Sequence, residues 1–278
     1  MEIFTEIIHP IVLKRLKEYS DQTGAPLEEL YRQIKEKIGD LSNKYKTGRE
    51  DEIDYGDPLT RLAYLYTYVP GLSACLTEVL FSVKQTFNFE EYDEIRCLVF
   101  GGGPGTELIS MAKVFENEGI KFFLTDKEAK WYDCWYEIRD RIKYLFPDRK
   151  IQADSTEVDL CNVDDFERIK YATQHSQFVF FNYVVSELYK SAPHFFRFLE
   201  QVFTHLPSKA IIVIVDRSQR EIINLINCLI KEFNLHKTFG LPKTCRTDED
   251  FKGELVQKIG TPPRGKYFQT YQIVAVKP

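Results

Sequence analysis

The apolar positions of this chain change their period near residue 90. Before that point they recur every three to four residues. Leu27, Leu30, Tyr31, Ile34, Ile38 and Leu41 follow Pro26 at the spacing of one helix face. The polar stretch SNKYKTGREDEIDYGDP (42–58) reads as a loop. PLTRLAYLYTYV and LSACLTEVLFSVKQTF read as two apolar helices separated by Pro70-Gly71. From about residue 93 short apolar runs alternate with helical patterns. The runs IRCLVF (95–100), IKFFLTD (120–126), KIQAD (150–154), FVFFNY (178–183) and AIIVIVD (210–216) are expected strands, nearly continuous in apolar residues as in a sheet with helices on both faces. A long irregular stretch follows the helix SQREIINLINCLIKEF. The chain then closes on a strand within KYFQTYQIVAVKP, an order compatible with a reversed hairpin at the end of the sheet.

This pattern predicts an α/β fold: a doubly wound, Rossmann-like domain over residues 89–278 with about seven strands, preceded by a helical domain over 1–88 that caps the substrate side. Composition narrows the class further. With 278 residues, 44% hydrophobic and 28% charged, the chain is an ordinary globular one. A net charge of -5 and a pI of about 5.7 give no footprint for binding bulk nucleic acid, although a local basic face leaves RNA open. The six cysteines (75, 97, 134, 161, 228, 245) form no C-x-x-C pair, and Glu2 and Glu6 make the N-terminus unlike a secretory or transit segment. Reduced thiols and a cytoplasmic or nuclear location are the expectation. No apolar run approaches the roughly 18 residues of a membrane span. The five histidines show no metal spacing, so no metal site is expected.

The chemistry concentrates in CLVFGGGPGTELI (97–109), where Gly101, Gly102, Gly103 and Gly105 lie between a strand and a helix. Glycines there open backbone conformations closed to other residues and clear space for a ligand against the chain. A dinucleotide site needs a third glycine and a pyrophosphate at the helix N-terminus. Here Thr106 and Glu107 follow, and a carboxylate at that place disfavours pyrophosphate but tolerates a sulfonium cation. Asp126 closes the second strand, where a carboxylate accepts hydrogen bonds from both ribose hydroxyls or else caps the next helix. Asp154 and Asp159 follow the third strand; one is expected to meet an adenine amino group, and otherwise both are solvated loop carboxylates.

The loop VFGGGPGTE, the acid closing LTD and the late strand TYQIVAVKP resemble the class I S-adenosyl-L-methionine (SAM)-dependent methyltransferases over residues 90–278. That resemblance implies SAM as cofactor and an antiparallel last strand. It also implies that Gly101, Gly103 and Gly105, with Gly102 between them, face the methionine and ribose portion. Asp126 would bind the ribose diol, and Asn182 and Tyr183 would border the methyl group. The chain departs from the family at Val99, where members often carry an acid, and a GGGPG loop without that acid also resembles the aminopropyltransferase variant of the fold. NYVVSEL (182–188) and DPLTRLAYLYTYVPGLSACLTEVLF add a looser similarity to the methyltransferase-like assembly factors of the mitoribosomal small subunit, whose cysteine cluster is absent here.

Methyl transfer requires alignment and, for some acceptors, loss of a proton. The end of the fourth strand supplies the candidate catalytic residues Asn182, Tyr183 and Glu187, with Ser186 beside them. Glu187 either accepts a proton or binds a cationic acceptor, or serves only as a first-turn helix carboxylate. NYVV replaces the N/D-P-P-Y/F loop of base-amino methyltransferases. Arg217 and Arg220 either clamp an anion or are solvated. Trp131 and Trp135 pack in the core, with an adenine wall as the alternative. The stretch 240–268, carrying Lys243, Arg246, Lys258, Arg264 and Lys266, is a mobile surface loop, a substrate lid or an RNA-facing flap. The expected function is methyl transfer to an unidentified acceptor, a small molecule or protein rather than bulk nucleic acid. The alternatives are a SAM-binding sensor or assembly scaffold and an aminopropyltransferase-like enzyme.

Overall fold

In the computed structural model, which describes residues 2–89, 92–115, 119–245, 251–263 and 268–278, every run read as a strand is one. β1 (Glu94–Phe100), β2 (Gly119–Asp126), β3 (Ile151–Glu157), β4 (Phe178–Asn182), β5 (Ile211–Arg217), β6 (His236–Cys245) and β7 (Phe268–Val276) form a seven-stranded sheet of order β3-β2-β1-β4-β5-β7-β6. The first five pair in parallel, and β7 inserts antiparallel between β5 and β6, with Val213 opposite Val274. The reversal between β1–β2 and β1–β4 opens a crevice at the carboxyl ends of these strands, the place where such sheets bind ligands.

Helices cover both faces, which is why the central strands carry no polar side. All five residues of β4 are buried. Behind one face, Leu98, Phe100, Val179, Phe181 and Ile212 pack with α7 (Lys170–His175), α9 (Ala192–His205) and α10 (Arg220–Glu232). On the other face, Cys97, Val99, Phe178, Phe180 and Val213 meet α5 (Thr106–Val114) and α6 (Tyr132–Leu145). The N-terminal helices join that same cluster: α1 (His9–Thr23), α2 (Leu27–Thr47), α3 (Pro58–Thr67) and α4 (Val69–Thr86). They follow a π-helical turn, Ile3–Ile8, whose Phe4 is 1% exposed and packs edge-on against Tyr66 and Phe251 at 5.7 and 5.4 Å between ring centroids. Asp57 sets the start of α3 by accepting the Leu59 N–H at 3.1 Å, with Pro58 in the first turn where it loses no helical bond.

Three boundaries differ from those the sequence predicts. α2 runs on through Thr47, into the stretch read as a loop, and ends on Gly48 at φ +68°. The break between α3 and α4 falls at Tyr68 rather than at Pro70-Gly71, because Pro70 sits in the first turn of α4 and Gly71 is helical. The stretch after α10 holds an edge strand, β6, and α11 (Glu254–Ile259), which packs on α2. Within 240–268, Lys243 pairs with Glu78 of α4 at 2.6 Å and Lys258 is exposed on α11, while Arg246, Arg264 and Lys266 lie outside the described residues. Among the described residues no helix is long and apolar enough to cross a membrane.

Because the N-terminal turn shares one core with the sheet, Phe4→Ala should cost about 3–5 kcal/mol of global stability. Urea titration should show one cooperative transition moved to lower denaturant; an unchanged main transition preceded by a small early one would contradict the shared core.

Candidate functional site

Between β1 and α5 the backbone turns through Gly101, Gly103 and Gly105 at φ +57°, +43° and +82°, conformations that cost an L-residue roughly 1–2 kcal/mol. Three bonds fix the turn: Gly102 N–H to the Thr125 carbonyl at 2.8 Å, Gly103 N–H to Asp126 Oδ2 at 2.8 Å, and Gly105 N–H to the Gly102 carbonyl at 2.7 Å. From below, Trp135 donates its indole N–H to the Gly103 carbonyl. The glycines serve different needs. A Cβ on Gly101 would lie 2.6 Å from Val184 Cγ2, and one on Gly105 2.8 Å from Trp135 Cδ1. At these two positions the protein's packing on itself already requires glycine, and Gly101 also lines a cavity. Gly103 alone would point a Cβ into the open, 3.9 Å from the Gly101 carbonyl, and it lines the same cavity.

That cavity, of about 530 Å³, lies over the carboxyl ends of β1, β2 and β4 under residues 50–56. Eight carboxyl side chains line it against a single lysine, Lys127. Asp126, half-buried at the rim, accepts the Glu128 N–H at 2.9 Å on its other oxygen; burial raises its pKa to about 6 despite these bonds. Glu107 is 1% exposed, and burial raises it to about 7, although its own N–H and the Asn182 amide both favour the charged form. Glu107 Oε2 and Asn182 Oδ1 are buried without a hydrogen-bond partner, two acceptors side by side at the cavity. Leaving such an atom unpaired costs about 1–3 kcal/mol.

The other residues singled out in the sequence separate cleanly. Asp159 lines the cavity, accepting the Cys161 N–H at 2.9 Å and pairing with Lys127 at 3.2 Å. Asp154 does not: it lies exposed on the edge strand β3, 3.4 Å from Lys121 of β2, so of the two aspartates only Asp159 lines the cavity. Asn182, Tyr183 and Glu187 all line the cavity. Tyr183 turns the chain from β4 into α8 (Val184–Glu187) at φ +62°, a strained conformation held by its N–H on the Val215 carbonyl at 2.8 Å. Buried Asp216 fixes α8 from the next strand, accepting the Ser186 N–H at 3.0 Å and the Arg217 N–H at 2.7 Å. Glu187 thereby opens into the cavity. Its side chain is open to the cavity, and desolvation by the surrounding walls, reinforced by Asp126, lifts its pKa to about 8.

The arginines form no anion clamp. Arg217 is engaged by Glu50 in an ion pair and stacks 5.0 Å over the Tyr45 ring, and Arg220 is exposed. Sequence reasoning missed the residues that α2, α3 and the segment between them bring to the cavity: Glu50, Tyr55 and Tyr64. Lys190 ties that segment down through Asp51 at 2.9 Å and the Gly48 carbonyl at 3.1 Å. The Tyr45 and Tyr55 hydroxyls meet at 2.6 Å. Trp131, 2% exposed, lines the cavity against Tyr55, while Trp135 is wholly buried beneath the loop. Among the described residues no group of side chains could hold a metal ion.

No protein-family model matches this chain, and no curated protein does. Solved structures do. An O-methyltransferase family protein from Burkholderia thailandensis superposes with a TM-score of 0.51 at 10% identity, over 84% of this chain and 62% of that one. A SAM-dependent methyltransferase from Methanosarcina mazei matches 70% of this chain and 96% of its own at 12% identity and a TM-score of 0.46. Aeropyrum pernix fibrillarin, in complex with natively bound S-adenosyl-L-methionine, matches 74% of this chain and 76% of its own at 10% identity and a TM-score of 0.38. At such identities the likeness is one of architecture: the chain has the fold of the class I SAM-dependent methyltransferases.

Proposed function

We propose that the protein is a SAM-dependent methyltransferase and that the cavity binds SAM. The observation that carries this reading is the pair of unpartnered buried acceptors, Glu107 Oε2 and Asn182 Oδ1, beside the glycine loop, whose Gly101, Gly102 and Gly103 line the cavity. Such a pair calls for a ligand that donates hydrogen bonds and carries positive charge, as the methionine ammonium of SAM does. A pyrophosphate would meet Glu107 and Asp126 with like charge. Asp126 keeps lone pairs free beyond its two backbone bonds and would hold the ribose hydroxyls, and Asp159 the adenine amino group. When bound, SAM supplies a methyl group activated by the adjacent sulfonium. The protein then positions the acceptor at Asn182 and Tyr183 and excludes water beneath residues 50–56. Arg217 and Lys190 hold that segment down through Glu50, Asp51 and Gly48.

Calorimetric titration with S-adenosylhomocysteine should give binding that Asp126→Ala weakens about ten- to a hundredfold, the loss of charge-assisted hydrogen bonds. Folded wild-type protein that takes neither S-adenosylhomocysteine nor SAM would refute the reading.

The raised carboxyl groups make binding pH-dependent. Their ionised forms attract a cation, so SAM binding releases protons, and affinity should rise from pH 6 to about 8.5, as Asp126, Glu107 and Glu187 titrate near 6, 7 and 8. The ligand-free fold responds with the opposite sign. A carboxyl whose folded pKa exceeds its unfolded value contributes stability below the unfolded value and loses it as pH rises through the folded one. For Glu107 that window runs from 4.5 to about 7. Thermal unfolding should show stability falling across it in wild type and falling less in Glu107→Gln; an unchanged slope in the variant would contradict the buried carboxyl.

A further inference from the structure

We propose that the acceptor is an amine and that Glu187 takes the proton the amine must lose; this rests on the reading of the cavity as a SAM site. With Gly103, Asp126, Glu107 and Asn182 assigned to the cofactor, the rest of the lining includes Glu187 and the rings of Tyr55, Tyr64 and Trp131. These rings pack on one another at 5.4 to 5.8 Å between centroids and form one aromatic surface. A carboxylate beside aromatic faces attracts an ammonium by charge and by the rings' quadrupole. An anionic acceptor would meet the eight carboxyl groups of the lining, and a neutral alcohol would donate to Glu187 but bring no charge to offset them.

One further observation separates this from a mere collection of acids. Glu187 is exposed to the cavity, and no hydrogen bond reaches its carboxylate among the described residues. The groups that face it are Asp126 from β2, Asp216 and Arg217 from β5, Glu50, and the phenols of Tyr45, Tyr55 and Tyr64. Arg217, the one cation among them, is already engaged by Glu50. Burial raises all three phenols, so they remain neutral and Glu187 is the base. Its own pKa, about 8, suits exchange of a proton with an ammonium better than an ordinary carboxylate would.

In the step, the ammonium gives a proton to the Glu187 carboxylate. The freed nitrogen lone pair forms the N–C bond to the methyl carbon as the C–S bond breaks, its electron pair staying on sulfur. The sulfonium charge is thereby cancelled, the product carries the new ammonium charge, and Glu187 returns its proton to solvent on release.

The test is calorimetry on protein saturated with S-adenosylhomocysteine, titrated at pH 8.5 with butylamine, benzylamine and putrescine beside butanol, benzyl alcohol and butyrate. At least one amine should bind at least about tenfold tighter than the matching alcohol, with no detectable butyrate binding. That amine should bind about tenfold more weakly at pH 6.5, where amines of pKa near 10 are still charged and Glu187 is protonated. Glu187→Gln should lose about tenfold or more of the amine affinity while S-adenosylhomocysteine affinity stays within about threefold, which also shows the variant folded. Equal binding of alcohol or butyrate, no amine binding to the loaded protein, or an unaffected Glu187→Gln would overturn the amine assignment and leave the cofactor reading standing. Failure of S-adenosylhomocysteine itself to bind would overturn both.

Discussion

The Asp126 carboxylate ties the end of β2 to the glycine loop at the end of β1, one oxygen on the Gly103 N–H and the other on the Glu128 N–H. Neighbouring parallel strands bring these two ends together, and the left-handed turn of Gly101 and Gly105 lets the loop fold back far enough to reach the carboxylate. Trp135 fills the space beneath and bonds the Gly103 carbonyl, so the loop is held from both sides. Gly101, Gly102 and Gly103 all line the cavity, and of the loop's glycines only Gly103 would point a Cβ into open space. The shape of the site therefore follows from protein-to-protein contacts, and a ligand meets a surface already formed, which lowers the ordering cost of binding.

The cavity is costly in charge. Asp126, Glu107, Glu187 and Asp216 all have pKa values raised by burial, and each raised value marks a carboxylate that water no longer solvates fully. Asp216 is offset by two backbone N–H donors and serves to aim α8. Glu107 keeps one oxygen, Oε2, without a partner, and no hydrogen bond reaches the Glu187 carboxylate among the described residues; groups left perturbed in a cleft are where chemistry is expected. The N-terminal helices contribute here too. The turn after α2 delivers Glu50 and Tyr55, and Arg217 and Lys190 lock that turn over the sheet, so cover and cavity edge form one electrostatic unit.

Much of this was legible in the chain. β4 and β5 are apolar on both faces because both are covered, and a continuous run such as FVFF announces that burial directly. The place of Asp126 beside the glycine loop was legible because it closes the strand next to the one that leads into that loop. β6 was not. As an edge strand it is largely exposed, carries Gly240 and Pro242 and buries little, so its pattern is that of a loop. Asp154 and Asp159 could not be told apart because the answer depends on where β3 ends: Asp154 is still within the ladder opposite Phe123, and Asp159 is two residues past the strand, where the chain bends toward the cavity. Tyr55, Tyr64 and Glu50 reach the site from far along the chain, and no local pattern reports a long-range contact.

A crystal structure of the protein soaked or grown with S-adenosylhomocysteine tests the central assignment most directly. The ribose hydroxyls should lie within hydrogen-bond distance of the Asp126 carboxylate, and the amino group against Glu107 Oε2 and Asn182 Oδ1, with Gly103 in contact along the way. Ligand bound elsewhere, or a cavity that admits it with the ribose away from Asp126, would contradict the assignment.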